Sequence, residues 1–171
     1  GEIIGLYVVD YWQNFIKKPF NLIELGPGKG TLLLDILNIT NKFENIRKSM
    51  SLNLVEQNIN LINIQKFNFK KKQIDIKKFK WTKNFNIKNN KPIFIISNEF
   101  FDCFPVRQFF KKKTSWFEKM IEYKKITNDI GFKDIIVKNS NDLSKIKYCE
   151  ANNILELSSA RDEYFLKICK H

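Results

Sequence analysis

The stretch NLIELGPGKGTLLLDIL, residues 21–37, constrains the fold more than any other. A short apolar run closes on Glu24, glycines follow at positions 26, 28 and 30, and an apolar pattern at helical spacing begins at Thr31. A buried strand that turns through glycines into a helix is the opening unit of an α/β fold, and such a loop lets backbone approach a ligand closely. The alternative is a tight strand-to-helix turn with no ligand, but one such turn rarely needs three glycines.

Spacing excludes two familiar phosphate loops. A P-loop requires G-x-x-x-x-G-K-[ST], whereas Thr31 stands five residues after Gly26 and Gly30 follows Lys29. The dinucleotide fingerprint G-x-G-x-x-G fits Gly26 and Gly28 but fails at Thr31. What remains is G-x-G-x-G with Glu24 two residues ahead of it. That pattern suits a ligand with an adenosine and an amino acid but no phosphate. Gly26, Gly28 and Gly30 admit the ligand, the helix N-terminus receives a carboxylate, and Glu24 answers a positive amino group. S-adenosylmethionine has all of these parts.

The rest of the chain alternates in the same way. Apolar positions over 2–15 are spaced as a helix, stopped by Lys17, Lys18 and Pro19. Short buried strands are expected at Leu22–Leu25, Leu52–Glu56 and Ile93–Ser97, and a weaker one at Ile76–Trp81. Helices are expected at Thr31–Asn38, Asn58–Phe67 and Asp162–Lys170. Ser115–Glu122 and Lys133–Val137 read as strands of a hairpin inserted around 110–140, and Ile154–Leu157 is short and apolar. The pattern predicts an α/β fold with a mostly parallel sheet and flanking helices.

Two further strand ends carry polar groups. Glu56 closes the strand before NLVEQ runs into a helix, where α/β nucleoside sites hold ribose hydroxyls. A solvated strand-end acid is the alternative, and the upstream loop favours ribose. IFIISNEFFDCFPVRQF, residues 93–109, leads from apolar residues into Asn98, Glu99 and Asp102. Glu99 and Asp102 are three apart, so a helical turn puts both on one side. Phe100, Phe101 and Phe104 are expected to pack.

Charge and rare residues narrow the chemistry. The net charge of +12 comes from lysines spread along the chain with only three arginines, which reads as solvated faces rather than a built phosphate-binding patch. Cys103, Cys149 and Cys169 form no C-x-x-C pair and His171 is the sole histidine, which argues against zinc and against a Ser-His-Asp or Cys-His machine. The cysteines read as small core residues of a reducing compartment. No apolar run is long enough for a membrane span, and no metal is called for.

GEIIGLYVVDYW, then LIELGPGKGTLLLDIL, LVEQNINLINIQ, Trp81, SNEFFDCFPVRQFF and Trp116 together resemble the MidA-type family of S-adenosylmethionine-dependent methyltransferases, whose mitochondrial members are complex I assembly methyltransferases. The likeness covers most of the chain. It implies a class I methyltransferase (Rossmann-like) fold in one domain over 1–171, truncated at both ends, with a further core strand after His171. It also implies symmetric dimethylation of an arginine on a respiratory complex I subunit, in the mitochondrial matrix or, for a bacterial chain, the cytoplasm. Lys29 stands where the family commonly has Arg, Asn58-Ile59 where it has Ser-Pro, and Cys103 where it has Ala.

Carried onto this sequence, the cofactor residues are Glu24, Gly26, Gly28, Gly30, Glu56 and Asn98. Glu99, supported by Asp102, is the catalytic candidate, because a sulfonium and a guanidinium repel unless acids lie beside them. Two other readings stay open. One is a nucleic-acid methyltransferase using FNFKKKQIDIKKFKW as a basic, stacking surface. The other is a non-catalytic assembly factor that retains the fold.

Overall fold

The structure, a computed structural model, describes residues 1–87, 90–146 and 154–170. The chain divides into two units, Gly1–Phe100 and Phe101–His171.

The first unit is built on a sheet of four parallel strands in the order β3-β2-β1-β4: β1 is Phe20–Leu25, β2 Met50–Val55, β3 Phe79–Thr82 and β4 Ile93–Ser97. The central strand FNLIEL is buried at every position, which is why it reads as a continuous run rather than an alternating one. Register places Phe20 beside Met50, Leu22 beside Leu52 and Phe94, and Glu24 beside Leu54 and Ile96. All five of these apolar partners belong to the core or pack on it, together with Phe20, Leu22, Phe79 and Trp81.

Helices cover that face. α1, Glu2–Tyr11, brings in Val8 and Val9, and continues into a π-helical turn over Trp12–Ile16. Lys17, at φ 49°, ends the turn, and the Trp12 indole donates to the Lys18 carbonyl at 3.0 Å. α2, Thr31–Thr40, buries Leu33, Ile36, Leu37 and Thr40, the i, i+3, i+4, i+7 stripe of an amphipathic helix. α1 crosses α2 at Gly5, where a Cβ would stand 3.0 Å from the Ile36 carbonyl oxygen. A short α3, Glu44–Ser49, contributes only Ile46. α4, Ile59–Lys71, is capped by the Asn58 side chain, which accepts from the Asn60 amide at 2.9 Å, and it buries Gln65 and Phe69. Burial of each large apolar side chain in this core contributes roughly 1.5–3 kcal/mol.

The second unit is an antiparallel sheet in the order β7-β6-β5-β8, formed by β5 Arg107–Lys112, β6 Ser115–Lys124, β7 Asp129–Ile136 and β8 Leu155–Leu157. β6 and β7 form a hairpin. α5, Ser140–Ile146, supplies Leu143 and Ile146 to a small core with Phe109, Trp116, Leu155 and Leu157. A two-bond Arg107–Glu118 pair at 2.7 Å ties β5 to β6. α6, Ser159–Cys169, is capped by the Ser158 hydroxyl. Phe101 packs near Phe104 and Phe165, and Phe104 near Tyr164.

Several expectations change. The strand expected over Ile76–Trp81 begins only at Phe79. The Asp75 carboxylate accepts from the Lys77 amide at 3.0 Å and winds Ile76–Lys78 into a 3-10 turn first. α3, β5 and α5 were not anticipated. Cys103 and Cys169 are exposed rather than core-packed, and Cys149 and His171 lie outside the described residues. The sheet of the first unit is wholly parallel, and the antiparallel strands belong to the second.

Candidate functional site

All four strands of the first sheet point the same way, so their carboxyl ends share one edge. The chain leaves β1 for β2 and β3 on one side, then returns to β4 on the other. That reversal makes the crevice between β1 and β4 the topological switch point, where ligands of open α/β sheets bind.

The glycine loop lies at this point. Gly26, Gly28 and Gly30 all have positive φ, at 62°, 54° and 77°. Around Gly28 a Cβ would meet nothing within 4 Å, so the loop presents open space there. Gly30 is the opposite case: a Cβ would stand 2.9 Å from Phe69 Cζ and 3.4 Å from Gln65 Cγ, so the loop is pressed on α4. Side chains of α4 also hold the loop carbonyls. Gln65 Nε2 donates to the Gly28 oxygen at 2.8 Å and Asn68 Nδ2 to the Lys29 oxygen at 2.9 Å. Beyond the loop, α2 starts without a side-chain cap, which leaves its first-turn N–H groups and the positive end of the helix dipole available.

Glu24 is the last but one residue of β1 and is 4% exposed, between Leu54 and Ile96. Burial pushes its carboxyl up to about 7. Its Oε2 is buried and finds no hydrogen-bond partner among the described residues. An orphaned carboxylate oxygen beside a glycine loop is costly unless something cationic or a donor meets it.

Glu56 follows β2 and is also buried. Its Oε1 accepts from the Asn58 amide at 2.9 Å and its Oε2 from Gln65 Nε2 at 3.4 Å. Gln65 in turn accepts from the Trp81 indole at 2.8 Å. Sequence reading missed Gln65 and Asn68. The signal for Gln65 was present: Leu61, Gln65 and Phe69 recur every four residues along one helical face.

At the end of β4, Asn98 and Glu99 are exposed, and Glu99 takes the left-handed conformation at φ 53°. Ser97 pairs with Leu25, and Phe100 closes on the loop, its Cδ2 only 2.8 Å from where a Gly26 Cβ would be. The structure thus brings Glu24, the three glycines, Glu56 and the Asn98–Glu99 turn to one edge of one sheet. Asp102 lies in the second unit, exposed, in the 3-10 turn Phe101–Cys103. No single helical turn carries both acids, because the left-handed Glu99 precedes that turn. Among the described residues, no cluster of three or more His, Cys, Asp or Glu side chains is placed to hold a metal, and no helix is long and apolar enough to cross a membrane.

Comparison with known proteins gives the family. Residues 3–170 match the family model described as "Putative S-adenosyl-L-methionine-dependent methyltransferase". The mitochondrial protein arginine methyltransferase NDUFAF7 of Bos taurus is 29% identical over 142 residues, 71% of this chain and 32% of the relative. Its Caenorhabditis elegans homolog is 36% identical over 141 residues, 73% of this chain and 33% of the relative. The chain therefore spans about a third of the length of the curated relatives it matches. A Burkholderia thailandensis protein crystallised with S-adenosyl-homocysteine shares the fold, with a TM-score of 0.78 at 15% identity over 98% of this chain and 42% of that one. A match from one end to the other, on a class I methyltransferase α/β fold, places this chain in the MidA-type family of S-adenosylmethionine-dependent methyltransferases, the family its motifs resembled.

Proposed function

We propose that this chain forms the cofactor-binding part of a protein arginine methyltransferase. The observation that carries the reading is the unpartnered, buried Oε2 of Glu24, at the end of the strand that leads into a glycine loop open at Gly28. The residues fit the family's cofactor group by group. Glu24 meets the amino group, the uncapped start of α2 receives the carboxylate, and Gly28 leaves room for close approach. Glu56 accepts from the two ribose hydroxyls, and Asn98 lines the crevice from β4. When bound, S-adenosylmethionine supplies an electrophilic methyl group on a sulfonium.

The protein's own task is then electrostatic and geometric. A guanidinium brought to that methyl is a second cation, and two unit charges 4 Å apart repel by about 4 kcal/mol at an effective dielectric near 20. Glu99 offsets this repulsion and holds the guanidinium through paired hydrogen bonds, leaving one nitrogen in line with the methyl. Asp102 supports it. Relatives named as protein arginine methyltransferases favour arginine as the acceptor. The family resemblance points to a respiratory complex I subunit as the protein that bears it, in the mitochondrial matrix or, in a bacterium, the cytoplasm.

Labelled S-adenosylmethionine, the protein, and candidate substrate proteins test this, with arginine methylation read by mass spectrometry. Label on arginine is expected. Label on RNA would replace this reading with the nucleic-acid one. Cofactor binding with no transfer to either would leave an assembly factor.

A further inference from the structure

We propose that Gln65 is a positioning residue for the ribose-binding carboxylate, coupling Glu56 to the glycine loop; this rests on the reading of Glu56 given above. Gln65 is wholly buried in α4, where an unsatisfied amide would be costly. Its contacts fix its orientation. The Trp81 indole N–H only donates, so Gln65 Oε1 must face it, at 2.8 Å. Nε2 then faces the Gly28 carbonyl at 2.8 Å and Glu56 Oε2 at 3.4 Å, both of which only accept when Glu56 is ionised. A flipped amide would set a donor against a donor and an acceptor against two acceptors.

One side chain therefore links the loop after β1, the end of β2 and strand β3. For Glu56 the result is a fixed plane. Asn58 N–H occupies one side of Oε1 and Gln65 one side of Oε2. A carboxylate has about four lone-pair sites, so roughly two remain, one on each oxygen, the number a vicinal diol uses. Without Gln65, Glu56 is held at one oxygen only, and the loop loses the bond that sets Gly28 in register with it.

The test is calorimetric binding of S-adenosylhomocysteine and of its 2′-deoxy and 3′-deoxy ribose analogues to wild type, Gln65→Leu and Trp81→Phe. Wild type is expected to prefer the parent ligand by roughly tenfold to a hundredfold over each analogue, the size of one charge-assisted hydrogen bond. In Gln65→Leu the parent should bind about tenfold or more weakly and the preference should fall to about twofold, since a loose Glu56 no longer reads the hydroxyls. Trp81→Phe leaves Gln65 in place but unanchored, and should lose part of the preference. A Gln65→Leu protein that weakens all three ligands by the same factor, or none, overturns the proposal and makes Gln65 a packing residue. If that variant does not fold, Trp81→Phe decides, and an undiminished preference there overturns it equally. Wild type that binds the parent ligand with no preference defeats the ribose role of Glu56 and this inference with it. Wild type that binds none of the ligands defeats the cofactor reading itself.

Discussion

Gly30 and Phe69 meet so closely that a Cβ on the glycine would stand 2.9 Å from the ring's Cζ. The contact joins the end of the loop to α4, and it occurs at φ 77°, where an L side chain is already strained. Gly30→Ala therefore combines a left-handed alanine, about 1–2 kcal/mol, with overpacking of about 1–3 kcal/mol. A drop of roughly 2–5 kcal/mol in unfolding free energy is expected from the sum of the two. Urea denaturation checks it, with the midpoint falling and the slope unchanged.

Gly28 should behave differently although it lies two residues away. Its φ of 54° carries a similar backbone strain, but an added methyl group meets nothing of the protein within 4 Å. Gly28→Ala should lose only about 1–2 kcal/mol of stability. Its affinity for S-adenosylmethionine should fall much further, because the methyl enters space the ligand needs. Paired melting and calorimetry separate the two effects, and an affinity equal to wild type would remove the loop from the binding site.

Glu24 makes stability and binding depend on pH in opposite directions. Its folded-state value near 7 lies above the ordinary 4.5, so the folded chain holds the proton that the unfolded chain releases. The contribution is fully present below 4.5 and declines as pH rises to about 7, by roughly 3 kcal/mol in all. A cationic amino group favours the ionised form, so cofactor affinity should rise over the same window, with proton release on binding. Calorimetry in buffers of different ionisation enthalpy counts those protons. Glu24→Gln should abolish both trends, and an unchanged pH profile in that variant would assign them to another group.

Glu99→Gln keeps the size of the side chain and removes its charge. If Glu99 offsets the repulsion between guanidinium and sulfonium, methyl transfer should slow by about one to two decades, equivalent to about 1.5–3 kcal/mol. Cofactor affinity should change little. Asp102→Asn should slow transfer less. Transfer of labelled methyl, with binding measured beside it, tests the pair. A wild-type rate in Glu99→Gln would make Glu99 a structural acid.

The strand, loop and helix over residues 20–40 were legible because their constraints are local. A strand buried on both faces is a continuous apolar run, and left-handed turns call for glycine. The inner face of α4 was half legible. Asn68, Lys70 and Lys71 look like a solvated end, so the helix was expected to stop at Phe67, before Asn68 and Phe69, two of the residues that hold the loop. β5 was hidden for another reason. Its Phe109 faces the core with Trp116 and Ile146, while Phe110 lies on the opposite face near Phe117, with Lys112 over both of those rings. Two adjacent aromatics erase the alternation by which a strand is recognised. α3 and α5 are too short to display a helical period, and the polar hub at Gln65 depends on partners from three separate strand ends.

The order of the first sheet also bears on how the chain folds. Phe20 reaches Met50 across a single crossover, whereas Asn21 reaches Ile93 only by closing a loop that already contains β2, α4 and β3. Longer closures cost more chain entropy, and non-local pairings form slowly. β1, β2 and β3 with their helices can therefore assemble as a nucleus before β4 docks. The crevice between β1 and β4 is then the last feature completed, when Phe100 closes on Gly26. A chain caught before that step keeps its glycine loop but lacks one wall of the site. Ligand that binds only the finished crevice would act as a clasp on β4, holding the latest-forming strand in the native sheet.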